Sequence, residues 1–266
     1  MKEIRIGIKI LKTLIKESYY NPSKIVAEII VLFTRCGLLL LLYHYVFGLR
    51  GNNILGTGFK EVAWSIYFYF IFSNIRIRDL PLLMMNDIQS GNIEIILCRP
   101  VSYLWYRCIW QLGLGALPFL VGTTLMSFVL YFAIGIPEIM SSPFFFPVLF
   151  LVFIFCIILS LLVYSLIGLM AFLIEDVSSL LRIFDKSIMI LGGSFLPIAL
   201  FPKFLKNIAI YSPLGATHFI SHVMTPSWKD IYFQMILLQI FWIIVFLFLN
   251  NVVFNFVSKK VSVNGG

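Results

Sequence analysis

Charge is what this chain has least of. Only 12% of its 266 residues are Asp, Glu, Lys or Arg, whereas 61% are hydrophobic and the mean hydropathy is +0.99. A soluble fold with so few charges would need an implausibly large dry core, so the composition excludes an ordinary globular protein and points to a polytopic membrane protein. Cysteine and histidine are also scarce, at 4 and 3 residues. Cys36, Cys98, Cys108 and Cys156 lie far apart with no C-x-x-C pair, which argues against a metal knuckle or a disulfide framework. His218 and His222 are four apart, yet no nearby carboxylate or cysteine completes a metal site. H-E-x-x-H and G-x-S-x-G are absent, and with them the common metalloprotease and hydrolase signals. No G-x-x-x-x-G-K-[ST] loop occurs either, since GTGFK at 56–60 is too short. The net charge of +8 does not indicate nucleic acid, because the basic residues sit beside apolar runs rather than in one patch.

The apolar runs organise the rest. Residues 1–21 form a basic amphipathic segment: Ile4, Ile8, Leu11 and Ile15 recur at helical spacing, with Lys2, Arg5, Lys9, Lys12 and Lys16 opposite. This pattern predicts a helix lying in the membrane interface, the alternative being a charged flank that only fixes topology. Asn21 and Pro22 end it. Six spans are then expected at 25–47, 62–80, 109–134, 147–174, 180–200 and 231–257, judged against a hydrocarbon core of about 30 Å at ~1.5 Å per residue. The second is short in its apolar part, so Arg76 and Arg78 are expected to snorkel to the headgroups. Pro118 is expected to kink the third. Arg35 is the one charge near the middle of a span, with Glu28 seven residues earlier on the same face; a path-lining role and a structural one are both open.

The interval 201–229 is too apolar for a free outer loop. Pro202, Pro213 and Pro226 divide it into 203–211 and 214–224, each about helical and too short to cross. Two short re-entrant outer helices packed on the bundle fit this pattern, the alternative being one kinked interfacial helix. Orientation follows from the basic residues. With a cytoplasmic N-terminus and six spans, 14 of the 20 lysines and arginines fall inside and 5 outside, with Arg35 within a span. The positive-inside rule therefore places both termini in the cytoplasm.

The stretch 87–100, DIQSGNIEIILCRP, is the core of the longest polar interval in the first half. Asp87, Gln89, Ser90, Asn92, Glu94 and Arg99 offer side chains to a soluble partner, while Ile93, Ile95, Ile96 and Leu97 hold the piece to its membrane body. Gly91 predicts a left-handed helix stop. Asn92 is expected to cap a second short helix, with Glu94 near its positive end and Pro100 beyond its finish.

The order of these elements resembles the ABC-2 type permeases of ABC transporters. That order is a basic interfacial helix, three spans with a polar cytoplasmic loop between the second and third, three more spans, and a proline-broken outer segment before the last. SGNIEIILCRPVSYLWYRCIWQL at 90–112 is similar to the family's coupling-loop pattern, with Gly91, Asn92, Ile93 and Glu94 where the wider family has Gly-Thr-Leu-Glu. LGGSFLPIALFPKFLKNIAIYSPLGA at 191–216 is similar to its fifth-span ending, with Pro197, Pro202 and the Ser212–Pro213 pair. The closing Asn264, Gly265 and Gly266 suit the branch of small six-span permeases. The resemblance implies an all-α, single transmembrane domain over 1–266 in a plasma membrane, the cytoplasmic membrane of a bacterium. It implies a permease subunit that exports a lipid-like or amphiphilic substrate and binds no cofactor itself, ATP and Mg residing on a separate ABC ATPase subunit. Residues 87–100 would be the coupling helix, with Asp87, Gln89, Gly91, Glu94, Arg99 and Pro100 at the ATPase and Arg35 and Glu28 on the translocation path. A second copy or a paralogous permease, and membrane lipid, are the other implied partners. Two other classes stand beside this one. A secondary transporter would need more ionisable groups at mid-span than Arg35. A non-transporting membrane scaffold or enzyme would lack an ATPase partner.

Overall fold

The computed structural model describes residues 2–51, 53–54, 56–98, 101–174, 176–225 and 228–264. Arg99, Pro100, Pro226, Gly265 and Gly266 lie outside the described residues, as do the side chains of Ile4 and Asn264. The structure is 84% helical, so the class is all-α. Among the described residues four helices are long and apolar enough to cross a membrane: Pro22–Leu49, Tyr103–Ala133, Phe145–Phe172 and Trp228–Ser258. They belong to α2 (Pro22–Arg50), α6 (Tyr103–Ala133), α7 (Phe145–Leu169, continued by a 3₁₀ turn) and α12 (Trp228–Asn264). Leu38, Leu41, Tyr45, Ile244 and Phe248 on α2 and α12 are all more than 60% exposed, an apolar surface that suits lipid rather than water. The architecture is of the membrane type.

α1 (Lys2–Tyr20) stops at Asn21, and Pro22 opens α2, where its missing N–H costs nothing. Lys9, Lys12 and Lys16 are exposed as expected, but the buried stripe is rotated: Gly7 and Leu14 are covered, whereas Ile8 is 49% exposed. The cause is α6, which α1 follows in the same direction, Gly7 lying on the Trp105 ring and Leu14 on Gly113. Where an indole ring needs room, glycine rather than isoleucine faces the partner.

Two pairs of long helices run parallel. α2 follows α6, with Leu32 at Gly122 and His44 facing Ala133 across a cavity between their C-terminal halves. α7 and α12 meet at Phe145–Trp228 (ring centroids 5.6 Å apart), Cys156–Gln239 (3.2 Å) and Ser165–Asn250 (2.7 Å). Asn250 also donates to the Leu162 carbonyl at 2.9 Å. Such polar bonds between apolar helices fix their register at a modest ~0.6 kcal/mol each.

Two of the expected spans hold shorter helices than expected. The run 62–80 is α3 (Phe59–Ser73), 15 residues or about 22 Å at 1.5 Å per residue. The chain then leaves the helix at Asn74, passes through Arg76 at φ 63°, makes a 3₁₀ turn at Ile77–Asp79 and enters α4 (Leu80–Gln89). The run 180–200 is α8 (Ser178–Leu191), 14 residues, closed by Gly192 and Gly193. Polar groups cause the first break: Asn74, Arg76 and Asp79 find protein partners there, and Arg78 makes longer contacts. α3 shows no amphipathic stripe because protein surrounds it, with Val62 through Tyr69 all buried. It is antiparallel to α2, Phe59 packing on His44 and Phe47 at one end and Arg76 meeting Glu28 at the other. α6 starts six residues before the expected 109 and runs on through Pro118.

α8 begins where the Asp176 carboxylate accepts from the Ser178 N–H at 2.8 Å; hydrogen bonding by the Ser178 side chain first, and by this N–H second, holds its carboxyl below the usual carboxylate range. After Leu191 the chain reaches the C-terminal part of α2, where the Tyr43 hydroxyl donates to the Phe195 carbonyl at 2.6 Å. α9 (Lys203–Tyr211) matches the expected 203–211. The expected 214–224 helix is two single turns, α10 (Pro213–Ala216) and α11 (Phe219–His222). Between them the Ala216 carbonyl accepts from Gln239 at 3.1 Å, level with Cys156 about halfway along α7.

Candidate functional site

The stretch 87–98 forms an elbow. α4 ends at Gln89, Ser90 N–H closes on the Asn86 carbonyl at 3.0 Å, and Gly91 takes the left-handed conformation at φ 71°. This confirms the helix stop at Gly91. No atom stands within 4 Å of a Cβ added there, so a side chain would meet only the backbone penalty of about 1 kcal/mol or more. α5 (Asn92–Leu97) follows, with Gly91 at the cap position and Asn92 already inside the helix; the expected Asn92 cap is not formed. Ile93 and Ile96 are buried, but Ile95 is 63% exposed beside the exposed Asn92 and Glu94. Gln89 is likewise at the surface. Only two of the four apolar residues, Ile93 and Ile96 but not Ile95 or Leu97, therefore hold the piece to the body.

Asp87 is not on that outer face. Its carboxylate is buried, paired with the Arg107 guanidinium and accepting from the Tyr103 hydroxyl at 3.0 Å. Tyr103 in turn stacks on Phe254 of α12 at 6.4 Å. The role expected of Asp87, contact with a partner, is corrected to an internal pin that fastens the elbow to the first turns of α6. A carboxylate this close to a guanidinium is more stable inside than presented to solvent only when both partners are held in place. Behind the elbow, α4 lays the fully buried Met84 on Gly168 of α7. Two long helices, α6 and α7, thus touch the elbow unit, and α12 lies one contact further out through Tyr103.

A second cluster lies at the α3–α4 break. Arg76 holds Glu28 at 2.7 Å and grips Asp79 through Nη2 at 2.7 Å and Nε at 2.8 Å. Its own carbonyl accepts from Gln111 at 2.7 Å, and Asn74 donates to the Pro118 carbonyl at 3.0 Å. A non-glycine residue at positive φ costs roughly 1–2 kcal/mol, so these bonds are what keep the break in place. Arg78 makes longer contacts, 3.7 Å to Asp79 and 3.9 Å to Asp185, and Asp185 accepts from the Tyr164 hydroxyl at 3.2 Å. Glu28 therefore belongs to Arg76, not to Arg35. Arg35 is exposed and lines a cavity with Glu28, Arg76 and Arg78.

His218 and His222 are built into the interior. The His218 ring stacks on Tyr69 at 4.8 Å and meets Phe72 edge-on at 5.0 Å, and its Nδ1 is 2.9 Å from the Thr217 hydroxyl. Sequence reasoning did not single out Tyr103, Arg107, Gln111, Asp79 or Asp185. Tyr103 and Arg107 do carry a signal, a polar pair at i, i+4 on one face of an apolar helix. No local pattern marks the others. No protein-family model matches the chain, and no curated protein matches it.

Proposed function

We propose that this chain is the membrane-spanning permease subunit of an ATP-driven exporter of the ABC-2 type, moving a lipid-like or amphiphilic substrate with ATP hydrolysed by a separate subunit. The observation that carries the reading is the pinned elbow. α5 presents Asn92, Glu94 and Ile95 outward, while the buried Asp87 ties the same unit to α6 and Met84 seats it on α7. A push on α5 would reach two long helices through rigid contacts, as a coupling lever requires.

The parallel pairs support six crossings with both termini on one side, and the excess of lysine and arginine there supports the cytoplasmic side. If α2 and α6 both span and run the same way, the chain between them must return, and α3 with 74–76 is the segment available. The same holds for α7 and α12, with α8 and 192–196 between them. Ala216 at the level of Cys156 supports a re-entrant α9–α11 segment that dips to mid-depth and turns back. Single cysteines at Gln89 and at Asn207, both at the surface, test this in intact cells with an impermeant thiol reagent and a cysteine-free background. Asn207 is expected to label and Gln89 not; the reverse pattern would refute the topology.

Coupling is tested by Glu94→Arg and Gly91→Val, compared with Gly48→Ala, where an added Cβ meets nothing within 4 Å. Charge reversal at a desolvated contact costs about 2–5 kcal/mol, so substrate-stimulated hydrolysis in reconstituted membranes should fall roughly tenfold or more in Glu94→Arg. The protein should still insert in all three variants. Wild-type stimulation in both elbow variants with the ATPase still bound would overturn the reading.

A further inference from the structure

Between α2 and the break after α3 lies a cavity of about 420 Å³. Its charged lining is Lys24, Glu28, Arg35, Arg76, Arg78 and Asp79, four basic groups against two carboxylates. Arg76 holds one oxygen of each carboxylate at 2.7 Å, while the second oxygen of Glu28 is buried without a hydrogen-bond partner among the described residues. Arg78 keeps only its two long contacts, and one of these, Asp185, is shared with Tyr164. Lys24 and Arg35 have no acidic partner among the described residues. Arg35 sits 13 residues past Pro22, about 20 Å along an apolar helix, where a guanidinium without an anion or water is costly.

The remaining wall is apolar at Ala27, Val31, Leu32 and Phe70 and polar at Ser73 and Asn74. From Arg35 onward the same flank of α2 carries Leu38, Leu42, Tyr45 and Leu49 at i, i+3, i+4 spacing, each at least 52% exposed. Surplus positive charge at one end and an uncovered apolar track at the other match an amphiphile with an acidic head. We propose that this cleft binds the phosphate or carboxylate head of such an amphiphile at Arg35, Arg78 and Lys24, with its alkyl part along α2. As a cargo site it rests on the permease reading and narrows its substrate class to acidic amphiphiles. Binding itself is measured without the ATPase.

The test uses the purified chain in phosphatidylcholine nanodiscs and two fluorescent probes of equal chain length, lysophosphatidic acid and lysophosphatidylcholine. The acidic probe should bind at least about tenfold more tightly, the scale of one charge-assisted hydrogen bond. Arg35→Gln and Arg78→Gln should each remove most of that preference and leave the choline probe unchanged, whereas Arg35→Lys should keep it. Lys60→Gln, in the separate cavity at the other end of α2, should have no effect. Competition by added phosphatidylglycerol identifies a membrane lipid as the occupant, and its absence a single-chain amphiphile; both outcomes uphold the acidic site. Equal affinity for the two probes, or an undiminished preference in Arg35→Gln, overturns it. Normal ATPase coupling without acid preference would refute only this site, and acid preference without coupling only the permease reading.

Discussion

Arg107→Leu is expected to be the most damaging single change in the chain, lowering stability by about 3–5 kcal/mol, because it leaves the Asp87 carboxylate buried with only the Tyr103 hydroxyl as partner. Thermal unfolding of the detergent-solubilised protein measures it. The double variant Asp87→Leu/Arg107→Leu should recover much of the loss, since replacing a buried ion pair by apolar groups is often close to neutral. The two variants separate stability from function. If Asp87 is the pin described above, the double variant folds but its elbow is loosened, and coupling stays impaired. A single variant within about 1 kcal/mol of wild type would show that the pair is not buried in the membrane-embedded protein.

Gly115→Ala should cost nearly as much, by steric conflict rather than charge. An added Cβ would overlap the backbone carbonyl of Ile75, just before the left-handed Arg76. Backbone cannot swing aside as a flexible side chain does, so the penalty should reach the upper part of the 1–3 kcal/mol range for overpacking or exceed it. The α3–α4 break should move with it, weakening the Arg76 bonds to Glu28 and Gln111. Gly37→Ala on α2 is the matched control. Nothing stands within 4 Å of its Cβ, so alanine's better helix propensity should make it neutral or stabilising by up to about 1 kcal/mol. Equal melting temperatures for the two variants would refute the close approach at Ile75.

Features written in a few neighbouring residues were legible from the chain alone. The all-α membrane class follows from composition, the end of α1 from Asn21 and Pro22, and the left-handed stop at Gly91 from the absence of a Cβ. The 203–211 helix follows from its bounding prolines. Each depends on sterics or transfer free energy acting within one contiguous segment, so no knowledge of the fold is needed.

What only the tertiary structure decided are the partners across the chain. Asp87 reads as a polar surface residue until Arg107, 20 positions later, takes it inside, and Glu28 reads as a neighbour of Arg35 until Arg76, 48 positions away, claims it. The two short helices have the same origin. α3 stops at Ser73 although the expected span runs on to 80, because Gln111, Gly115 and Pro118 of α6 offer the Arg76 carbonyl and the Asn74 side chain hydrogen bonds and the backbone room. The orientation of α1 was likewise set by the Trp105 ring and not by its own periodicity. Local sequence can report which groups are polar, but which of them are paired depends on which helices come into register, and that is settled by packing over the whole bundle.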